Sequence, residues 1–259
     1  IIDSYWNRNL GVANPQAATP AFVDIAFRAA AKADPNAKLI YNDYGQEEQD
    51  PRKFNAIRSM LVDMRQRGIP IHGMGWQLHQ NVSTILDPAF LLEDRMNAMA
   101  ALGFDNYITE LDIAMDERKL DGSLEDPKPK YSEEDFLRQK WAYKKVFEIF
   151  ARVKRRVAAQ TWGVSDKQSW LGANRAPLLF DSDFAKKPAY FGVQEALQEE
   201  ISGLRTLQSP WDQRFLTAGS KNLKIGQNPP VNLGRIAQGK LQSSSRQKAS
   251  SKSLPLWQV

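Results

Sequence analysis

Apolar positions along this chain alternate between two periods. Five stretches repeat at helical spacing, 20–32, 51–67, 88–102, 132–151 and 188–200. Four shorter runs between them are continuously apolar and read as strands, 37–42 (AKLIYN), 71–77 (IHGMGWQ), 106–112 and 157–162 (VAAQTW). Punctuation supports these boundaries. Thr19 with Pro20, Asp50 with Pro51, Asp87 with Pro88, and the Ser132-x-x-Asp135 box stand where helices begin. Gly68 and Gly103 stand where helices end. The order is one helix followed by four βα units, which predicts an α/β fold with a parallel sheet. Polar and aromatic residues gather at or just past the strand ends: Asn42, Asp43 and Tyr44; Gln77 and His79; Glu110 and Asp112; Trp162 and Asp166. Chemistry at that end of every strand marks a (β/α) barrel or an open α/β sheet.

The run Ile108-Thr109-Glu110-Leu111-Asp112-Ile113 changes the picture most. It has the character of a buried strand, yet it carries two acids two positions apart, which therefore share one face. Two carboxylates there are either a solvated pair at a strand terminus or the acid/base and nucleophilic groups of a catalytic site.

Composition narrows the chemistry further. The chain lacks Cys, which removes disulfides and thiolate metal sites, and its two His residues exclude a poly-His metal centre. No Gly-rich phosphate loop follows a strand and no Gly-x-Ser-x-Gly elbow is present. No apolar run is long enough to cross a bilayer, so no membrane partner is expected. The net charge of +5 is uneven. Residues 203–259 hold nine Lys/Arg against Asp212 alone, while the rest of the chain is mildly acidic and has no nucleic-acid footprint. That segment is rich in Ser, Gln, Gly and Lys, and its composition predicts a disordered basic tail rather than a polyanion-binding element. Two domains of unlike character are expected, 1–202 and 203–259. Ile1 in place of Met, with no leader pattern behind it, predicts a processed chain or a fragment.

Five segments in order, ADPNAKLIYNDYG (33–45), GIPIHGMGWQLH (68–79), ALGFDNYITELDI (101–113), TWGVSDKQSWL (161–171) and PLLFDSDFAKKPAYFGV (177–193), resemble glycoside hydrolase family 10, the retaining endo-β-1,4-xylanases. The likeness runs from about residue 6 to residue 197. It implies a (β/α)8 barrel of which this chain holds about the last four βα units. It implies that Glu110 is the catalytic nucleophile and that His79 and Asp112 hold and tune that carboxylate. Gln77, Asn42, Tyr44, Trp162 and Trp170 are the implied substrate-binding residues. Xylan or xylo-oligosaccharide is the implied partner, with no cofactor, no metal and an extracellular or periplasmic location.

The residues themselves support these roles. A retaining glycosidase needs an ionised carboxylate beneath the sugar, and aromatic faces suit the C–H faces of pyranose rings. Taken singly, His79 would read as a structural histidine and Trp162 and Trp170 as core aromatics. Trp76 reads as packing, His72 as strand surface or barrel filling, and Asp166 with Lys167 as a loop-steadying pair.

Two departures from the family pattern stand out. The acid/base glutamate of the family lies in a WDVVNE-like motif, and this chain has none. Its opening residues, Ile1 to Trp6, resemble the region just after that motif. The first four strands and the acid/base are therefore expected to be missing, leaving two open strand edges for the missing N-terminal half or a second copy to cover. Leu78 is the second departure, since a small residue is commoner between the Gln and the His. The chain alone is expected to act weakly or not at all on xylan. A catalytically silent carbohydrate-binding remnant, and a piece that does not fold stably, are the competing expectations.

Overall fold

The computed structural model describes residues 21–115, 125–127 and 130–202. The expectations for Thr19 and Pro20, and for the tail 203–259, lie outside these residues. Helix α1 (Ala21–Ala33) leads into strand β1 (Ile40–Asp43), helix α2 (Pro51–Gln66) and strand β2 (Gly73–Trp76). A short strand β3 (His79–Asn81) and a helical turn α3 (Val82–Leu86) precede helix α4 (Leu92–Ala101). Strand β4 (Asp105–Ala114), helix α5 (Glu133–Arg152), strand β5 (Arg156–Thr161), two short 3-10 helices (Asp166–Gln168 and Ala173–Arg175) and helix α6 (Pro188–Ser202) complete the described elements.

All strand pairs are parallel. The sheet runs β1-β2-β4-β5, and β3 pairs with β4 beyond the end of β2. Neighbours in sequence are thus neighbours in space, as in successive βα units of a barrel wall. The core lies between this wall and the helices. Ile57, Leu61 and Met64 of α2, Met96 and Met99 of α4, and Val146 of α5 are almost wholly buried there.

Local signals explain the helix boundaries. The Asp50 side chain caps α2 by accepting from Arg52 N, and Gly68 behind the helix adopts φ +69, a left-handed conformation that glycine takes without a Cβ penalty. The Ser132/Asp135 capping box opens α5 with both reciprocal bonds. Gly192 of α6 faces α5 so closely that a Cβ would stand 2.5 Å from Lys140 O. Lys140–Glu195 and Lys144–Glu199, both 2.6 Å, join the same two helices.

Two expectations need correction. The helix predicted at 88–102 begins at Leu92, and Asp87 does not cap it. Asp87 instead accepts from Ala89 N through its side chain and from Phe90 N through its carbonyl, closing a turn around Pro88. The elements β3 and α3, with Asn81 capping the latter, fall in a stretch where the sequence pattern predicts no element. The cause is Leu78, which adopts φ +65 while fully buried and so breaks one long strand into β2 and β3.

Strand β5 is one edge of the described sheet, and β1 is the other. The residues of β5 are mostly exposed, Val157 at 54%.

Candidate active site

Glu110 and Asp112 sit near the C-terminal end of β4, buried at 7% and 0% exposure. Their shared face meets His79, placed there by the left-handed turn at Leu78. His79 Nε2 stands 3.1 Å from Glu110 Oε2, and His79 Nδ1 stands 3.1 Å from Asp112 Oδ1. The second oxygen of Asp112 accepts from Trp170 Nε1 at 2.7 Å. The second oxygen of Glu110 accepts from Asn42 Nδ2 at 2.7 Å. Both carboxylates are therefore held through both of their oxygens, which compensates their burial.

The imidazole lies between two carboxylate oxygens, and only an imidazolium can donate to both. Burial of His79 opposes the charge. The hydrogen bond and charge of Asp112, joined by those of Glu110, outweigh that burial and raise its pKa above the ordinary histidine value.

Asn42 reaches Glu110 from β1 across the whole width of β2. Its register partner is Gly75, where a Cβ would stand 2.5 Å from Asn42 Oδ1. The bare glycine leaves the channel through which the amide crosses. Pairing of β4 with β5 slips between Ile108 and Leu111, and such an irregularity re-aims neighbouring side chains. Here both Thr109 and Glu110 contact Asn42, with Thr109 Oγ1 donating to Asn42 Oδ1 at 2.6 Å.

Beside this array opens a cleft of about 390 Å³, lined by Tyr44, Gly45, Glu48, Gln77, His79, Gln80, Trp162 and Trp170. Trp162 and Trp170 present 41% and 61% of their surface, and both rings meet His79 edge-on. Tyr44 is 44% exposed with the Lys53 ammonium over its ring at 3.8 Å. An apolar wall facing a few fixed polar groups is the form of a small-molecule site. All eight residues singled out from the sequence, Glu110, His79, Asp112, Gln77, Asn42, Tyr44, Trp162 and Trp170, thus fall within one array and its cleft.

Other sequence readings resolve as structural. Trp76 is fully buried, and its Nε1 donates to Asn106 Oδ1 at 2.9 Å. His72 accepts from Leu39 N through Nδ1. Asp43, buried, accepts from Tyr41 Oη and Tyr44 N and pairs with Lys53 at 3.1 Å, so it fixes the turn that presents Tyr44. Asp166 does not take Lys167 as its partner. It is buried and pairs with Lys187 at 2.9 Å, and Lys187 also donates to Ala176 O and Leu178 O. Thr109, Gly75 and the indole N–H of Trp170 went unread as site features. The spacing of β1 to β4, and a hydroxyl beside the acid pair, were the only local signs of them.

Comparison with known proteins follows the same lines. Residues 4–196 match the family model described as Glycosyl hydrolase family 10. Endo-1,4-beta-xylanase B of Thermotoga neapolitana is 33% identical over 204 residues, 77% of this chain and 52% of that protein. Exoglucanase XynX of Acetivibrio thermocellus is 34% identical over 177 residues, 68% of this chain and 15% of that protein. Among solved structures, a thermostable mutant of xylanase Xyn10A from Cellvibrio japonicus superposes with a TM-score of 0.60 at 33% identity, covering 69% of this chain and 54% of that one. A mutant of xylanase 10C from the same organism, in complex with xylopentaose, superposes with a TM-score of 0.62 at 30% identity, covering 69% of this chain and 37% of that one. The chain spans about half or less of each of these proteins.

Proposed function

The chain belongs to glycosyl hydrolase family 10, and from that membership and the array around Glu110 we propose that it carries the nucleophile side of a retaining endo-β-1,4-xylanase site. The carrying observation is one carboxylate held from two sides, by Asn42 and by His79, at the edge of an aromatic cleft.

In this reading a xylose ring lies between Trp162 and Trp170, with Gln77 and Asn42 near its hydroxyls. Glu110 attacks the anomeric carbon from below as the glycosidic bond breaks, forming a covalent glycosyl-enzyme with its carboxylate oxygen. Water then displaces the sugar with a second inversion, so configuration is retained. His79 and Asp112 hold the carboxylate in line throughout. No metal or organic cofactor takes part.

The departing oxygen needs a proton, supplied in retaining enzymes by a carboxylic acid about 5–5.5 Å from the nucleophile. This chain has no WDVVNE-like motif to furnish one. In this reading an N-terminal half-barrel supplies that acid, since a second copy of this chain would lack the same motif. A polymeric substrate places the work outside the cell or in the periplasm. The name of one relative, an exoglucanase, makes cellobiosides the competing substrate to test. The missing acid motif favours one second reading, a site that binds xylo-oligosaccharide without turning it over.

Dinitrophenyl xylobioside, whose leaving group needs no proton, separates the readings. The purified chain should release dinitrophenol slowly, Glu110→Ala should abolish release, and xylan should stay uncut, since general acid catalysis is worth about 10²–10⁴-fold. Rapid xylan hydrolysis by the chain alone would contradict the absence of the acid.

A further inference from the structure

Thr109 neighbours the proposed nucleophile and points at Asn42 rather than at the cleft. Its hydroxyl is 2% exposed as a residue and lies 2.6 Å from Asn42 Oδ1. Asn42 Nδ2 in turn lies 2.7 Å from Glu110 Oε1. An amide presents a donor at one end and an acceptor at the other, so its rotation decides whether it binds a carboxylate or repels it. Asn42 packs directly over Gly75, where a Cβ would stand 2.5 Å from its Oδ1, so sterics alone do not distinguish the two ends of the amide. Among the described residues, the donor at its oxygen is the Thr109 hydroxyl.

We infer that Thr109 is a positioning residue: it engages the oxygen of Asn42 and so keeps the amide nitrogen aimed at Glu110. The strand irregularity at 108–111 is what lets two consecutive residues reach the same amide. Gln160 Nε2, bonded to Thr109 O at 2.7 Å, anchors the same stretch from β5. Without the hydroxyl, Asn42 Oδ1 is left in a largely dry site lacking a donor. The amide then swings toward other partners, and Glu110 loses a charge-assisted bond. Its bearing on catalysis rests on the reading of Glu110 as nucleophile; the geometry of the amide does not.

Two measurements on the full chain keep these apart. The first is the side-chain amide spectrum of Asn42, assigned by comparison with Asn42→Ala in ¹⁵N-labelled protein. Wild type and Thr109→Ser should show one amide proton shifted downfield by its bond to a carboxylate. Thr109→Val should lose that shift, and Thr109→Ala serves in its place if the valine variant does not fold. The second is the rate of covalent labelling by a 2-fluoro xylobioside. It should fall about ten-fold or more in Thr109→Val, the size of one lost charge-assisted bond, and recover in Thr109→Ser. A downfield proton unchanged in Thr109→Val, or lost in Thr109→Ser, overturns the inference. A wild type that is never labelled defeats the nucleophile reading, while the amide spectrum still decides the role of Thr109.

Discussion

Replacing Lys187 by Met should unfold this chain's scaffold before it touches the chemistry. Lys187 and Asp166 side chains are 5% and 4% exposed, and their contact is 2.9 Å. The ammonium also satisfies Ala176 O at 2.6 Å and Leu178 O at 2.7 Å. Methionine has nearly the same length and packs well, so the change removes charge and donors rather than volume. Asp166 would keep one donor, Leu178 N at 2.8 Å. Removing one partner of a buried ion pair costs about 3–5 kcal/mol, because the other charge stays behind. Ala176 O retains a bond from Gln139, which limits the additional loss.

The pH response carries a definite sign. Burial already raises the Asp166 carboxyl above its ordinary pKa, with Lys187 as the main opposing influence. Without Lys187 the folded state binds the Asp166 proton more tightly than the unfolded state does. The variant's deficit should therefore be largest at neutral pH and shrink as pH falls toward the carboxylate range. Urea unfolding followed by circular dichroism measures this directly. Lys187→Met should lose about 3–5 kcal/mol at pH 7, and the double variant with Asp166→Asn should regain at least about 1 kcal/mol. A single variant within about 1 kcal/mol of wild type would refute the view that this buried pair supports the fold.

Three further outcomes follow from the same geometry. Gly75→Ala places a Cβ 2.5 Å from Asn42 Oδ1, so the amide must leave Glu110. It should cost about 1–3 kcal/mol of stability by overpacking and slow labelling of Glu110 about ten-fold or more, and unaltered values of both would show that the amide has slack. Leu78→Gly relieves a left-handed leucine, a gain of about 1–2 kcal/mol, yet empties a fully buried site worth about 2–5 kcal/mol, so thermal unfolding should show net destabilisation. A variant as stable as wild type would mean strain dominates there. The raised pKa of His79 means its charge stabilises the fold fully below about pH 6.5, and this contribution is lost as pH rises through the native value. Urea midpoints of wild type and His79→Gln should therefore converge as pH rises, and a gap independent of pH would exclude an imidazolium between the two acids.

The parallel βα order was legible because strands buried on both faces and helices with capping residues leave local marks. Asp50, Ser132 and Gly68 each did what their neighbours in sequence predicted. The pair Glu110 and Asp112 was legible for the same reason, since period two on a strand puts both on one face. The left-handed turn at Leu78 was not, because a buried leucine gives no sign of positive φ. Its consequence, the separate strand β3 and the placement of His79, was therefore hidden too. Asp166 and Lys187 lie far apart in the chain, and only the folded loop brings them together, so the adjacent Lys167 looked the better partner. Thr109 and Gly75 act on Asn42 across the sheet, and no spacing rule along one strand reports such a contact.

The most direct test of the account is mass spectrometry after incubation with a 2-deoxy-2-fluoro xylobioside bearing a good leaving group. Such a sugar needs no acid to react, and its glycosyl-enzyme breaks down slowly enough to be mapped. The account predicts one adduct per chain, on the peptide containing Glu110, and none in Glu110→Ala. An adduct on another residue, or an unlabelled chain beside a control xylanase that labels normally, would contradict it.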